Sequence, residues 1–426
     1  MKTIEEIRTL LFEQREEILK RDLGVEREKL AKISKLKNTP YSIVISGLRR
    51  VGKSTLLSQL AHKLYPKGDY FYVNFEDERF LTFTAADFSQ LHELLIELFG
   101  DQKTFLFDEI QNIEGWERFI NRMINGGYKF YITGSNASLL SKELGTKLTG
   151  RYIPIELFPF SYKEYLTFNK VEVPDLTRLT TVQKGKLKKT FADYLKKGGI
   201  PQSLQYPQLP VNKNLYSDII NRDIGSRYKL AETKPLRELS FYLLSNISTL
   251  VSYNKLKELL QLGSVNTVSS YIDYLEASWL LLVINRYAYS VKKQQIANKK
   301  VYCIDTGLDK SVAFSFSKNQ GRLLENTVFL KLRRLQNEGI YYYKTKKDHE
   351  VDFYLPSKKI FIQVSKSIIG DPNTRQRELQ ALSEAMEEVE KTTGIIITED
   401  EKEKIEFAGK NIKVLPIYEW LLDDKV

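Results

Sequence analysis

Short apolar runs alternate with amphipathic stretches over the first 160 residues or so. Apolar positions between the runs recur at helical spacing, as in 88–99. Nearly continuous apolar strands separated by helices are typical of a mainly parallel sheet covered on both faces. The pattern predicts an α/β domain over 38–160, preceded by a helical segment over 1–37. The runs that predict its strands are 41–46, 70–75, 104–109, 129–134 and 151–157.

The rest of the chain divides into three further parts. Residues 161–235 are helical and rich in tyrosine. Residues 236–290 predict three short helices and a strand, and a glycine between the second and third helix suits a winged helix. Residues 291–426 alternate again between strands and helices, which predicts a second α/β domain with a first strand at 301–305 and a helix around 322–338.

One segment matches a phosphate-binding pattern in full. The residues from Gly47 to Ser54 read G-x-x-x-x-G-K-[ST], after a predicted strand and at the start of an amphipathic helix. Glycines at both ends let the backbone wrap around phosphates, Lys53 brings positive charge to them, and the Ser54 hydroxyl is a Mg²⁺ ligand. Arg49 is placed to face either phosphate or a partner. The predicted nucleotide-binding residues are Gly47, Arg50, Val51, Gly52, Lys53, Ser54 and Thr55.

The predicted strand at 104–109 ends in two adjacent carboxylates, Asp108 and Glu109. Ligands of open α/β sheets gather where strands end, so both side chains are expected beside the phosphate loop. Asp108 is predicted to hold Mg²⁺, usually through water. Glu109 is predicted to orient or deprotonate the attacking water, with Lys53 as a second catalytic residue.

Three further polar residues lie at the ends of strands of the same domain. Ser135 and Asn136 either contact the γ-phosphate or serve as ordinary turn residues, since Gly-Ser-Asn is favoured in turns. Arg151 is either an arginine finger, acting in cis or on a neighbouring subunit, or a surface residue before a strand. Asn136 and Arg151 are retained as catalytic candidates.

In these and later segments the chain resembles the predicted AAA+-related P-loop ATPases of archaea and bacteria that carry a C-terminal domain of unknown function. The resemblance covers about 30–400, and it implies ATP as the nucleotide, a helical lid after Arg151, a winged helix and a C-terminal fold similar to PD-(D/E)XK nucleases. The segments that carry it include GLRRVGKSTLL, TFLFDEIQNIEGWERFI, YITGSNASLL, YLKKGGIPQSL, DIINRDIGSRY, VYCIDTGL, LLENTVFLKLRR and EVDFYL.

A nuclease site of that type needs an acid on one strand and an acid-x-lysine on the next. Asp352 occupies the first position, and Glu325 on the preceding helix is placed to assist. Gln363 stands where the second acid belongs, and Ser365 where the lysine belongs. Lys366 is adjacent but belongs to the opposite face of a strand. The sequence therefore predicts a mostly non-catalytic module.

Charge and composition bear on partners and compartment. The net charge of +11 favours a polyanionic partner, DNA ahead of RNA, and basic and aromatic residues interleave at 286–302 and 341–347. The predicted recognition helix carries Asp273 and Glu276 and no Lys or Arg, so only Asn266 suits base reading. A single cysteine, no apolar run of membrane-spanning length and no secretory signal predict a cytoplasmic protein without membrane contact.

Three functions remain open from the sequence. The first is an ATPase using Mg²⁺ whose turnover is coupled to DNA or RNA through the basic C-terminal half. The second is an ATP-dependent switch that acts on a protein partner and hydrolyses slowly. The third is an ATP-gated nuclease, which Gln363 and Ser365 disfavour. A homo-oligomer follows if Arg151 acts in trans.

Overall fold

A computed structural model describes residues 4–137, 148, 150–313, 320–335 and 339–423. The chain forms two compact units, one ending at Phe158 and the other beginning at Pro159. Within the described residues, no helix is long and apolar enough to cross a membrane. The last three residues of the helix predicted around 322–338 lie outside the described residues.

The first unit contains a five-stranded sheet in the order β2-β3-β4-β1-β5. Every neighbouring pair is parallel, which confirms the predicted parallel α/β sheet. The strands are β1 (Ser42–Gly47), β2 (Phe71–Asn74), β3 (Thr104–Asp108), β4 (Lys129–Gly134) and β5 (Tyr152–Leu157). The helices are α1 (Ile4–Lys20), α2 (Glu28–Ser34), α3 (Lys53–Leu64), α4 (Phe88–Phe99) and α5 (Trp116–Asn125), with short 3₁₀ turns at Glu78–Phe80, Ala85–Asp87 and Ile110–Asn112.

Alternation along β3 sends its side chains to opposite faces of the sheet. Phe105 and Phe107 enter an aromatic core with Phe119 of α5 and Phe130 of β4. The rings of Phe105 and Phe130 stack with centroids 4.8 Å apart. Asp108, one position beyond Phe107, consequently belongs to the other face, where α3 packs against β3.

The N-terminal helices pack on the first unit, and α1 contacts the edge strand β2. Arg15 donates hydrogen bonds to the carbonyl oxygens of Tyr70 and Gly68 at 2.6 and 2.7 Å. The Gln14 amide exchanges two hydrogen bonds with the backbone of Asn74. These contacts satisfy backbone groups at an edge that would otherwise be open to another strand.

The second unit begins with helices, as predicted for 161–235. They are α6 (Tyr162–Phe168), α7 (Thr181–Lys197), α8 (Pro201–Gln205) and α9 (Val211–Asp218), followed by a π-helical stretch at Ile219–Ser226. Three helices and a small sheet come next: α10 (Lys234–Ser245), β6 (Thr249–Val251), α11 (Tyr253–Leu259), α12 (Val265–Ala277), β7 (Leu281–Ile284), α13 (Val291–Ile296) and β8 (Lys299–Cys303).

The strand predicted at 301–305 belongs to a different sheet from the one expected. As β8 it lies between β6 and β7 and is antiparallel to both, in the order β6-β8-β7. The sequence placed it in the C-terminal α/β part, and this assignment is wrong. An apolar strand pattern indicates burial but does not identify the pairing partner, which is set by long-range packing.

The C-terminal sheet has six strands in the order β13-β14-β12-β11-β10-β9. Helix α14 (Thr306–Val312) comes before this part of the chain. The elements that follow it are α15 (Gln320–Leu335), β9 (Tyr341–Lys344), β10 (Glu350–Leu355), β11 (Ile360–Val364), α16 (Pro372–Glu388), β12 (Thr393–Thr398), β13 (Glu403–Phe407), β14 (Lys410–Pro416) and α17 (Ile417–Trp420). Strand β13 was not predicted. It forms a hairpin with β14 through Ala408 and Gly409, both at positive φ, as tight hairpin turns require.

Two glycine-containing segments singled out in the sequence meet in the second unit. The Asp305 carboxylate accepts hydrogen bonds from Gly307 N and Leu308 N, which caps α14, and from Gly199 N at 2.6 Å. A Cβ on Gly307 would lie 2.0 Å from the carbonyl oxygen of Lys197. Only glycine permits this approach, so these segments are explained by packing.

Candidate nucleotide site and C-terminal acidic cluster

The loop between β1 and α3 is shaped by its two bordering glycines. A Cβ on Gly47 would lie 2.1 Å from the carbonyl oxygen of Leu157, so no larger residue fits beside β5. Gly52 has a φ of 94°, which other residues rarely adopt, and α3 begins at the next residue. The loop therefore ends at a helix N-terminus, where free N–H groups favour anions.

Lys53 directs its ammonium group toward the loop and toward the end of β3. Its Nζ lies 3.2 Å from the carbonyl oxygens of Gly47 and Leu48. It also lies 3.2 Å from Glu109 Oε1. Only 5% of Lys53 is exposed. The cation is held at the mouth of the loop by groups that phosphate oxygens can replace.

Asp108 is buried at the end of β3 within a network of hydroxyl groups. Its Oδ1 accepts a hydrogen bond from Thr133 Oγ1. Its Oδ2 accepts one from the Tyr72 hydroxyl at 3.4 Å. Ser54, the first hydroxyl of α3, also hydrogen-bonds to Asp108. The two residues predicted to hold Mg²⁺ are thus brought together, and a hydroxyl beside a carboxylate is an oxygen donor set that suits this ion.

Glu109 follows at a φ of 51°, in the left-handed region. Its backbone N–H donates to Thr133 Oγ1 at 3.1 Å, and its carboxylate accepts a hydrogen bond from Gln111 Nε2 at 2.5 Å. Such backbone strain persists only when the surroundings enforce it. Here Thr133, Gln111 and Lys53 together fix both the main chain and the carboxylate.

The pKa values of the two adjacent carboxyl groups are shifted in opposite directions. Burial raises the pKa of Asp108, and the charge of Glu109 adds to this, against hydrogen bonds from Ser54 and Thr133. Burial alone would raise the pKa of Glu109, but the charge of Lys53 and hydrogen bonds from Gln111 and Lys53 lower it overall. Glu109 is therefore ionised near neutral pH, as a proton acceptor must be.

The remaining candidates of the first unit lie at different places. Asn136 is buried next to the loop strand, and its carbonyl oxygen accepts a hydrogen bond from Ser46 Oγ at 2.8 Å. Ser135 Oγ lies 3.5 Å from Gln111 Nε2. Arg49 pairs with Glu76 at 2.9 Å.

Arg151 is not brought to the phosphate loop. It immediately precedes β5, where Ser42 at the start of β1 donates its N–H to the Arg151 carbonyl oxygen, and its guanidinium pairs with Asn125. The loop follows the opposite end of β1, roughly 16 Å away along the strands.

Two residues that the sequence did not single out support the site. Thr133 joins Asp108 and Glu109, although a threonine in an apolar strand carries no signal of its own. Arg27 is buried, and its guanidinium donates to the carbonyl oxygens of Val51 at 2.8 Å and Phe158 at 2.6 Å. It thereby connects the phosphate loop, at Val51, to the residue that follows β5.

In the second unit the predicted nuclease-like positions meet, together with an unpredicted lysine. Lys300 Nζ lies 2.8 Å from Glu325 Oε1, Glu350 Oε1 and Asp352 Oδ1. Burial lowers the pKa of Lys300, but the charges of Asp352 and Glu325 raise it well above its ordinary value. Burial, with the charge of Asp352, raises the pKa of Glu325 to about 8. Among the residues that the structure describes, no group of three or more His, Cys, Asp or Glu side chains is arranged to hold a metal ion.

Next to this cluster, Gln363 lies opposite Asp352 in the antiparallel pair of β10 and β11. Its Oε1 accepts a hydrogen bond from Asp352 N at 3.1 Å, and its Nε2 donates to Glu378 Oε2. Ser365 Oγ donates to the backbone of Ser367, and Lys366 is exposed. No lysine from this strand reaches the cluster.

The two basic and aromatic segments are adjacent in space. Tyr287 N donates to Tyr342 O at 2.8 Å, so the first segment extends the C-terminal sheet at the edge formed by β9. The Tyr287 ring contacts those of Tyr289 and Tyr341 at centroid distances of 5.5 and 5.7 Å. Tyr289 is 87% exposed. Exposed neighbours on the two segments are Val291, Lys292, Lys293, Ile296, Lys346 and Lys347.

A glycine-bordered loop between a parallel strand and a helix, with Lys53 and Ser54 beside an Asp-Glu pair, is the arrangement of a P-loop nucleotide-binding fold. Residues 39–166 match the model of an AAA domain. Residues 188–318 and 320–420 match two domains of unknown function, DUF8612 and DUF4143.

The chain belongs to the same family as the uncharacterized protein MJ1544 of Methanocaldococcus jannaschii, which is 31% identical over 95% of both chains. An uncharacterized protein of Haemophilus influenzae is also 31% identical, over 92% of this chain and 97% of its own. Among solved structures, the Aeropyrum pernix ORC2 protein is similar over 74% of this chain and 98% of its own, with 11% identity and a TM-score of 0.40. That likeness is too low to bear on function.

Proposed function

We propose that the protein is a Mg²⁺-dependent ATPase. The proposal rests on the convergence of Lys53, Ser54, Asp108 and Glu109 at the end of the parallel sheet. The N–H groups of the loop and the Lys53 ammonium would hold the β- and γ-phosphates, and Ser54, with Asp108 through water, would hold Mg²⁺. Mg²⁺ supplies positive charge that stabilises the transferring phosphoryl group.

Glu109 is the proposed general base for the attacking water. Its lowered pKa keeps it ionised, and Gln111 and Thr133 fix its orientation. A positioned base of this kind contributes typically 10²–10⁴-fold to a rate. Asn136, beside the loop strand, is the proposed γ-phosphate sensor.

Arg151 is proposed to act in trans. It lies before the start of β5, at the opposite end of the strands from its own phosphate loop, and this separation supports a role at the nucleotide of another subunit. A role in catalysis therefore requires a homo-oligomer in which Arg151 approaches the site of a neighbouring subunit.

We further propose that ATP turnover is coupled to nucleic acid, DNA in preference to RNA, through the surface formed by 286–302 and 341–347. Exposed tyrosine and lysine side chains share this surface, and the first segment contains no acidic residue. Base stacking on aromatic rings, combined with backbone contacts to lysines, binds single strands with little sequence preference.

The neighbouring parts of the second unit are proposed to be non-catalytic modules. The order helix, strand, two helices, strand, short helix and strand from α10 to β8 supports a winged helix. Helix α12 carries no Lys or Arg, so it is not proposed to read bases. The order α15-β9-β10-β11-α16-β12 supports a nuclease-like fold without the acid and lysine that cleavage requires.

The test is ATP hydrolysis with and without single-stranded DNA, duplex DNA and RNA, at low and moderate salt, using Lys53→Ala as the inactive control. We expect salt-sensitive stimulation that is lost in a variant combining Tyr289→Ala, Lys292→Ala and Lys293→Ala. A variant combining Lys184→Ala and Lys186→Ala, two exposed lysines of α7, controls for the loss of positive charge. Stimulation equal in both variants contradicts the assigned surface.

The alternative function is an ATP-dependent switch for a protein partner. Val291 and Ile296 are 68% and 75% exposed beside Tyr289, and exposed apolar residues of this kind also suit a protein interface. Slow hydrolysis that is indifferent to every polymer would favour the switch over the nucleic-acid-coupled ATPase.

A further inference from the structure

We propose that the Lys300 ammonium is a built-in cation of the C-terminal acidic cluster, so that the cluster joins two sheets and binds no metal ion. The cluster comprises Glu325 of α15 and Glu350 and Asp352 of β10, whereas Lys300 comes from β8 of the three-stranded sheet. One cation therefore ties together a helix and strands of two separate sheets. This assignment is independent of the proposed ATPase.

The geometry uses the full hydrogen-bonding capacity of the ammonium group. An ammonium carries three N–H donors, and the three carboxylates each accept at 2.8 Å. The second oxygen of Asp352 is also occupied, since Oδ2 accepts from Val364 N at 2.9 Å. The oxygens that a divalent ion would need already surround a cation.

Hydrogen bonds between β8 and α15 fix the position of this lysine. Lys300 and Tyr302 lie on the same face of the strand, and the Tyr302 hydroxyl donates to Glu325 Oε1 at 2.8 Å. The Asn326 side chain pairs with both backbone groups of Cys303, at 2.8 and 2.9 Å. These bonds fix the strand on α15, so the ammonium cannot withdraw without breaking a buried network.

The adjoining polar groups are matched to one another as well. Glu378 accepts hydrogen bonds from Gln363 Nε2 and from Arg377 Nη2. A carboxylate in place of Gln363 would meet the Glu378 carboxylate, whereas the amide bonds both Glu378 and Asp352 N. The amide that disfavours a metal site therefore suits a cluster that is closed by hydrogen bonds and one lysine.

The first test is a Mn²⁺ titration of the nucleotide-free protein, followed by electron paramagnetic resonance, comparing the wild type with Asp352→Asn. We expect the two proteins to bind the same amount of Mn²⁺, because any weak binding at the nucleotide site is common to both. If the wild type binds one Mn²⁺ more than Asp352→Asn, the cluster is a metal site and the proposal is overturned.

The second test is thermal unfolding of Lys300→Met. We expect its melting temperature to fall by about 10 °C, because the variant leaves buried carboxylates without a cation. Lys299→Met is the matched control, since Lys299 lies on the same strand but donates to the carbonyl oxygens of Gln294 and Gln295. A shift equal to that of the control overturns the proposal.

A third variant keeps this test decisive if Lys300→Met fails to fold. It combines Lys300→Met with Glu325→Gln and Asp352→Asn, which neutralises the two most buried carboxyl groups of the cluster along with the lysine, whereas the more exposed Glu350 is kept. We expect it to fold and to recover at least about half of the lost melting temperature, because neutral replacement of a buried ion cluster is tolerated. Instability equal to or greater than that of Lys300→Met would show that charge compensation is not the role of Lys300.

Discussion

Each unit of this protein holds a buried lysine among carboxylates, but the two lysines are held differently. Lys53 has one carboxylate partner, Glu109, and two backbone carbonyl oxygens at the mouth of a glycine-bordered loop. Lys300 has three carboxylate partners and is only 2% exposed.

The difference distinguishes a binding site from a structural joint. The neutral carbonyl oxygens around Lys53 can be exchanged for phosphate oxygens, because the loop ends at the N-terminus of α3, which favours anions. The carboxylates around Lys300 cannot be released without leaving charge unpaired in the interior, which costs several kcal/mol. The same residue types therefore suit ligand binding in one unit and cohesion in the other.

The largest expected effect tests the catalytic side of the comparison. Glu109→Gln should lower saturated ATP hydrolysis by about 10²–10⁴-fold while nucleotide affinity changes little, because the proposed base acts only in the chemical step. Phosphate release and fluorescent nucleotide binding measure the two quantities. The exposed neighbour Glu114, changed to Gln, is the control. A loss below tenfold would remove Glu109 from the mechanism.

The next test compares how much each of the two lysines contributes to the stability of the protein. Lys300→Met should reduce the free energy of unfolding by about 3–5 kcal/mol, because it leaves buried carboxylates without a compensating positive charge. Lys53→Met should cost less than about 1.5 kcal/mol, since two of its three partners are neutral backbone carbonyl oxygens. Urea unfolding of both variants measures the difference. Equal losses of unfolding free energy in the two variants would contradict the proposed difference between Lys53 and Lys300.

Glu276 provides a partly buried carboxyl group that has no lysine within hydrogen-bonding distance among the described residues. Burial raises its pKa to about 7, against a hydrogen bond from Val283 N. A raised carboxyl pKa means that the folded state binds the proton more tightly, so stability falls as pH rises from about 4.5 to about 7. Glu276→Gln should therefore be more stable than the wild type at pH 8 by about 2 kcal/mol and nearly equal at pH 4.5.

Urea unfolding at both pH values checks this expectation for Glu276. The exposed Glu258 of α11, changed to Gln, should show no such dependence on pH. A stability difference between Glu276→Gln and the wild type that is the same at both pH values would contradict the burial of an ionisable carboxyl group at this position.

The smallest expected effect concerns the second layer of the nucleotide site. Thr133→Val keeps the shape of the side chain but removes the hydroxyl that bonds both Asp108 and Glu109. We expect hydrolysis to fall by about tenfold, because one buried hydrogen bond is worth about 1–1.5 kcal/mol. Thr104→Val, at the other end of β3, is the control. An unchanged rate would show that Lys53 and Gln111 suffice to hold Glu109.

Most of the fold and the centre of the nucleotide site could be predicted from the sequence. The five strands of the first sheet and the loop from Gly47 to Ser54 follow from short-range patterns, because strand alternation and loop conformation depend on neighbouring residues. Strand β13 was missed because its residues alternate between part-buried and exposed, so the strand lacks a continuous apolar run.

The roles of the supporting residues could not be predicted from the sequence. Thr133 and Arg27 are ordinary in their local surroundings, and their roles come from partners far along the chain, such as Phe158 for Arg27. The sequence left open whether Arg151 acts in cis or in trans, and only the parallel pairing of β1 and β5 shows that it lies at the opposite end of the strands from its own loop.

The sequence by itself determined the elements of this protein and the chemistry of its phosphate loop, because both depend on residues close together in the chain. Only the tertiary structure decided that β8 joins the small sheet and delivers Lys300 to Asp352, 52 positions later. A buried charge takes its partners from whichever elements pack around it, and desolvation makes that choice costly to change. No local pattern of hydrophobic and polar residues records such a partnership.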